Sequence, residues 1–256
     1  MPHKRLIARL DIKGENVVKG FQMDGLRVVG SASEMARRYY EENIDEIFMI
    51  DVVASLFGRE AMAKIIRQVT EECFVPMTVG GGIRSLEDAD LLFRAGADKV
   101  AVNTAAVEDG TLLRRISGKY GSQATVLQLD SKTNAPGEWE VYTETGRTPT
   151  GLGVAGWVER AVELGVGEIL VTSVDRDGTR SGLDLGLLNL VASSVEVPVI
   201  GSGGVGSISD SVDGFRVRGV SGLAIGSMFH YGVAGPQQTR EESIKEGIDL
   251  RVSGIT

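Results

Sequence analysis

Two carboxylates stand at matching places in this sequence. "RLIARLDIKG" (residues 5–14) and "SQATVLQLDSK" (122–132) each run through an apolar, strand-like stretch to Leu-Asp, with a lysine two residues on. Asp11 is thus followed by Lys13, and Asp130 by Lys132. A lone aspartate at a strand end usually caps the next loop. Two at equivalent positions suit general acid–base work, one carboxyl giving a proton while the other removes one. The glycine-rich turns are paired as well: "VGGGIRS" holds Gly80, Gly81 and Gly82, and "GSGGVGS" holds Gly203 and Gly204. Beyond them come "NT" (Asn103, Thr104) and "GS" (Gly226, Ser227). Glycine lets backbone N–H groups close on an anion, and a helix N-terminus adds partial positive charge. Two such cradles beside two aspartates predict a substrate with a phosphate at each end and its reacting middle over the carboxylates. Asp177 and Gly178, in "SVDRDGTRSG", fall next to the second cradle.

The elements that must hold these residues alternate along the chain. β-Branched runs at Leu6–Leu10, Glu46–Asp51, Met77–Val79, Lys99–Val102, Thr125–Leu129, Glu168–Thr172, Val199–Ile200 and Gly222–Ile225 read as strands. Amphipathic stretches such as "SEMARRYYEEN" and "SLEDADLLFRAG" lie between them. Eight strand–helix units in about 250 residues are the size of an α/β (β/α)8 TIM barrel, whose active sites form at the C-terminal strand ends. No G-x-G-x-x-G follows the first strand, which argues against a doubly wound dinucleotide fold. "KTNAPGEWEVYTETGRTPTG", after Asp130, reads as a long active-face loop with room for a hairpin.

The halves repeat. "VPMTVGGGIRS" at 75–85 lies over "VPVIGSGGVGS" at 197–207, and "DEIFMID" at 45–51 over "GEILVTS" at 167–173. Together with the two aspartates and "AGADKVAVNT" over "RGVSGLAIGS", these matches keep nearly constant spacing. A single domain over 1–256 follows, made of half-barrels at about 1–120 and 121–256.

Composition narrows the function classes. A net charge of −8 disfavours nucleic acid or anionic membrane as the main partner. One cysteine, Cys73, allows no internal disulfide and fits a reducing, cytoplasmic setting. With His3 and His230 the only histidines, no zinc cluster is expected, and no metal or cofactor is called for. No apolar run approaches a membrane span, and no signal peptide is read.

The motifs "LD-x-K", "VVKG", "TVGGGIRS", "GADKVAVNTAA", "YGSQ", "EVYTETGR", "VTSVDRDGT" and "SMFHYG" resemble the cyclase subunits of imidazole glycerol phosphate synthase, from Lys4 to about Arg251. The resemblance implies a cyclase that takes ammonia from a separate glutaminase subunit. It would convert a bis-phosphorylated formimino-aminoimidazole carboxamide ribonucleotide into imidazole glycerol phosphate and the aminoimidazole carboxamide ribotide. It makes Asp11 and Asp130 the acid–base pair and puts Lys19 on a loop over the site. Gly82, Asn103 and Thr104 would hold one phosphate; Asp177, Gly178, Gly204, Gly226 and Ser227 would hold the other. Arg5, Glu46, Lys99 and Glu168 match an ammonia gate at the barrel floor, and Asp98 and Gln123 the face on which the glutaminase docks.

The chain also departs from that family. Arg9 stands where a small residue is usual, and Gln128, its repeat equivalent, where a small apolar one is. "DVVAS" and "LFGRE" replace the usual stretch after the second strand. These changes resemble paralogues that amidate surface or nucleotide-linked sugars with a glutaminase-like partner, the alternative reading. A related single-chain isomerase is a third, and a phosphate-binding scaffold that only activates a glutaminase a fourth. Two retained aspartates speak against the scaffold, and the gate residues against the isomerase.

Overall fold

β-Branched and aliphatic runs give the chain its strands, as a computed structural model of residues 3–53 and 59–252 shows. Residues 54–58, which include part of the departing stretch after the second expected strand, lie outside the described residues. In chain order the strands are β1 (Arg5–Lys13), β2 (Asn16–Phe21), β3 (Asp24–Ser31), β4 (Glu46–Asp51), β5 (Met77–Gly80) and β6 (Lys99–Val102). There follow β7 (Thr125–Ala135), β8 (Glu138–Thr143), β9 (Thr148–Gly153), β10 (Glu168–Ser173), β11 (Val199–Ser202) and β12 (Val220–Ile225). Helices α1 (Ala32–Glu41), α2 (Arg59–Thr70), α3 (Leu86–Ala95), α4 (Thr104–Glu108) and α5 (Thr111–Tyr120) lie in the first half. The second half carries α6 (Val154–Glu163), α7 (Leu185–Ser194), α8 (Ile208–Arg216), α9 (Ser227–His230) and α10 (Pro236–Lys245).

Eight of the strands pair in parallel and close on themselves, β12 returning to β1 and β10 pairing with β7. This is the expected (β/α)8 barrel. All eight expected strands form, and several run further than their apolar cores. β1 continues through Asp11 to Lys13, where it turns into the β2–β3 hairpin. β7 passes through Asp130 to Ala135 because its far half pairs with β8, and β8 pairs with β9. The stretch expected as a loop with room for a hairpin is therefore mostly a three-stranded meander. At the opposite end Lys4 bridges Leu250, so the two ends of the described chain run side by side beneath the barrel.

Helices wrap the outside, and matched devices start two of them. Ser85 Oγ accepts from the Asp88 backbone N–H, while the Asp88 carboxylate accepts from the Ser85 N–H. Ser207 and Asp210 repeat that capping box with nearly the same backbone, φ −145° and ψ 166° against −145° and 168°. Ser85→Ala and Ser207→Ala should each cost about 1 kcal/mol. Chemical denaturation of each variant checks this, and an unchanged midpoint would refute it.

Strand alternation sorts the barrel into layers. Leu6, Ala8 and Leu10 of β1 pack outward under the helices, whereas Ile7 joins Phe48, Val126, Leu170, Ile200 and Ala224 in a separate interior cluster. Each of the first five side chains of that apolar layer is fully buried. Below it lies the floor and above it the mouth.

Candidate active site

Arg5, Glu46, Lys99 and Glu168 come together at the floor, each at the first residue of its strand. Arg5 bridges Glu46 and Glu168, both at 2.6 Å, and Lys99 reaches the same two carboxylates at 3.5 and 2.7 Å. Four strands thus meet in one ionic ring. Asp98 and Gln123, both exposed, flank it on the same face. Asp98 also accepts the Met77 N–H at 2.7 Å, so part of its work is to tie β5 to β6.

The strands' other ends carry Asp11 and Asp130, both buried among the mouth's polar side chains. Asp11 Oδ1 accepts from Arg9 Nε at 2.9 Å and its Oδ2 from Lys19 Nζ at 3.1 Å. Burial alone would raise its pKa, but Arg9 and Lys19 outweigh it and hold the carboxyl well below the usual range. Asp130 differs. Its Oδ2 accepts from Asn103 Nδ2 at 3.0 Å, and its buried Oδ1 has no hydrogen-bond partner. Burial first, then the charges of Asp11 and Asp177, push its pKa up to about 6 against the pull of Arg9. Residues that match in sequence therefore differ in proton affinity, Asp130 taking up a proton far more readily than Asp11. Paired environments that drive two carboxyls apart are a recurring feature of acid–base sites.

The expected phosphate residues fall into two hollows at the mouth. Gly82, Asn103 and Thr104 line a cavity of about 390 Å³ together with Arg9, Gln128 and Asp130. Asp177, Gly178, Gly204, Gly226 and Ser227 line the second, with Arg9 and Lys19, and it holds only about 10 Å³. That is space for about one water molecule. Lys19, expected on a loop, sits in β2 and is nearly fully buried. It bridges Asp11 to Asp177, with Asp177 at 2.8 and 3.0 Å. The hairpin presses close here: Gly178 has φ +74°, and a Cβ on it would run into the Gly20 carbonyl. Gln22 N–H donates to the Asp177 carbonyl at 2.8 Å, completing the clasp.

Three polar residues of this site escaped sequence reading. Thr172 and Ser202 both accept from Arg9 Nη1, at 2.8 and 3.0 Å. The alternation that places Arg9 inside β1 also places Thr172 inside β10, two positions beyond Leu170, so a signal was present. His230 stacks on Tyr39 and shares a 2.7 Å hydrogen bond with its hydroxyl. Burial pushes its pKa down to about 4, so the imidazole is neutral near pH 7. Its contact crosses 191 residues of sequence, and no local pattern announces it. Among the described residues no acidic, histidine and cysteine cluster could hold a metal. None of their helices is long and apolar enough to cross a membrane.

A family model described as "Histidine biosynthesis protein" matches residues 5–234. Over 210 residues the chain is 50% identical to a Legionella pneumophila protein named imidazole glycerol phosphate synthase subunit HisF, covering 82% of this chain and 99% of that one. It is 42% identical over 251 residues to the protein of the same name from Streptococcus mutans, covering 98% of this chain and all of its relative.

Proposed function

Since this chain belongs to the histidine biosynthesis family and is similar along nearly its whole length to HisF subunits, we propose that it is a cyclase in which Asp11 and Asp130 serve the reaction. The activity is that of the cyclase subunit of imidazole glycerol phosphate synthase. The substrate is the bis-phosphorylated formimino-aminoimidazole carboxamide ribonucleotide, and the products are imidazole glycerol phosphate and the aminoimidazole carboxamide ribotide. The observation that carries the assignment of the site is the asymmetric carboxyl pair over two glycine-lined hollows.

One phosphate occupies the wide hollow at Gly82, Asn103 and Thr104. The other enters the tight hollow at Gly178, Gly204, Gly226 and Ser227, and to do so it draws Lys19 away from Asp177. The Lys19 ammonium is then available to the phosphate as a charge-assisted donor. Ammonia comes from a partner glutaminase that docks on the floor face at Asp98 and Gln123 and delivers it through the Arg5–Glu46–Lys99–Glu168 ring. The chain works in the cytoplasm.

The decisive assay supplies purified chain with the formimino substrate and excess ammonium at mildly alkaline pH, which bypasses partner and floor. Formation of imidazole glycerol phosphate supports the reading, and substrate that binds without turnover overturns it. Gly204→Ala tests the tight hollow. Gly204 has φ +103°, and a Cβ there would strike the Gly182 carbonyl, while the Gly182 N–H donates to the Gly204 carbonyl at 2.9 Å. Losing one charge-assisted contact to phosphate is worth about 1.5–3 kcal/mol, so KM should rise at least tenfold. An unchanged KM would remove Gly204 from the phosphate site.

Arg9 favours a second reading, amidation of a surface or nucleotide-linked sugar with a glutaminase-like partner. Its guanidinium fills the interior just beneath the mouth, bound to three strands. The same ammonium assay separates the two readings.

A further inference from the structure

Arg9 is the one cation that lines both hollows among the described residues. It is 3% exposed and lies a layer below the mouth. Its Nε holds Asp11 on its own strand, and its Nη1 holds Thr172 on β10 and Ser202 on β11. Ser202 in turn donates to the Ala224 carbonyl at 3.0 Å, so the guanidinium is fixed to four barrel strands through short bonds. This frame gives it no freedom to leave Asp11. Both oxygens of Asp11 are committed to cations, whereas Asp130 keeps one buried oxygen without any partner.

We propose that Arg9 is a positioning residue that holds Asp11 as a fixed anion and so leaves Asp130 as the single carboxyl that shuttles protons. The proposal rests on the cyclase reading. When ammonia adds to an unsaturated carbon of the substrate, the new C–N bond forms and the π pair moves to the neighbouring heteroatom. That atom takes the proton of the Asp130 carboxyl. The ammonium nitrogen so formed returns a proton to the Asp130 carboxylate, which restores the starting state. Asp11 stays unprotonated throughout and offsets the transient positive charge. A carboxylate held by a fixed guanidinium is a poor proton acceptor, and one in a desolvated setting with an oxygen unpartnered is a good one.

The charged groups facing Asp11 are Arg9, Lys19, Asp130 and Asp177, with the neutral His230 behind them. Those facing Asp130 are Arg9, Asp11 and Asp177. Lys19 is drawn off by phosphate, so Arg9 is the cation that remains on Asp11 during turnover.

The test combines kinetics with direct titration of the full chain. At constant free ammonia, wild-type kcat should follow one ionisation and fall as the pH rises past it. Arg9→Met should lower kcat by about 10²-fold with little change in KM, and should add a second ionisation to the profile. Arg9→Lys should restore most of the rate and the single ionisation. Independently of substrate, carboxyl ¹³C NMR of aspartate-labelled wild type, assigned with Asp11→Asn and Asp130→Asn, should show Asp130 titrating and Asp11 silent over the same range. If Asp11 titrates beside Asp130, or if Arg9→Lys is no better than Arg9→Met, the proposal is wrong. If the wild type makes no imidazole glycerol phosphate, the cyclase reading fails on its own, and the NMR titration still decides what Arg9 does to Asp11.

Discussion

Asp130→Asn is expected to lower kcat by about 10²–10⁴-fold, the usual range for loss of a general acid or base, and at the same time to stabilise the fold above pH 6. The second half follows from linkage. The Asp130 carboxyl has its pKa pushed up to about 6 by burial, above the ordinary unfolded value of about 3.9. Between those values the folded chain binds more protons than the unfolded one, so stability falls as pH rises through the window and stays lower above it. Two pKa units correspond to about 3 kcal/mol, which an uncharged asparagine would recover at neutral pH. Asparagine keeps an oxygen for Asn103, so the 3.0 Å hydrogen bond survives the change. Thermal melts of wild type and variant at pH 4 and pH 8 separate the effects. Equal shifts at both pH values would show that Asp130 is not the strained carboxyl described.

The second large effect lies far from the chemistry, at Arg240→Met. Arg240 is fully buried where α10 meets the barrel floor. It pairs with Asp45 at 2.8 Å and donates to the carbonyls of Asn43 and Arg251 at 2.8 and 3.0 Å. Methionine keeps most of the stem's packing but takes a donor from the Arg251 carbonyl and from part of the Asp45 carboxylate, and leaves the Asn43 carbonyl only the longer 3.5 Å contact from Arg251 Nη2. Asp45 retains Arg251 and the Leu6 N–H, so the cost stays at the lower end for a broken buried pair, about 3 kcal/mol. For a chain of this size that shifts Tm down by about 10 °C. Calorimetry reads it directly, and a shift of a degree or two would mean that water replaces the guanidinium without loss.

Much of this molecule is legible before any coordinate is seen, and the reason is periodicity. Eight short β-branched runs separated by amphipathic segments admit few other architectures, and repeated motifs locate the mouth. Strand alternation sets Arg9 on the same face of β1 as Asp11, and the repeat gives Gln128 the matching place below Asp130. What sequence could not supply is contact across the barrel. The Lys19–Asp177 pair joins residues 158 apart, and Arg9 reaches Ser202 across 193. Such bonds depend on the stagger of strands around a closed sheet, which no local pattern encodes. For the same reason Asp11 and Asp130 look equivalent in the repeat. Their difference arises from Arg9 and Lys19 crowding one and leaving the other dry. Strand ends are hard to read where apolar alternation gives way to polar residues that pair in hairpins, as after Asp130.

The bridge between Lys4 and Leu250 has a consequence for the chain's linear order. Lys4 N–H donates to the Asp249 carbonyl at 2.8 Å, so a short linker spans that gap without disturbing either strand. Joining those neighbours and opening the backbone at Gly121, beside the short turn that precedes β7, would give a permuted molecule. In it β7 becomes the first strand and β6 the last, and both still meet at the same seam. The pairings of a closed ring do not record where reading starts. Which half of this protein comes first is a matter of history, and the barrel would assemble either way.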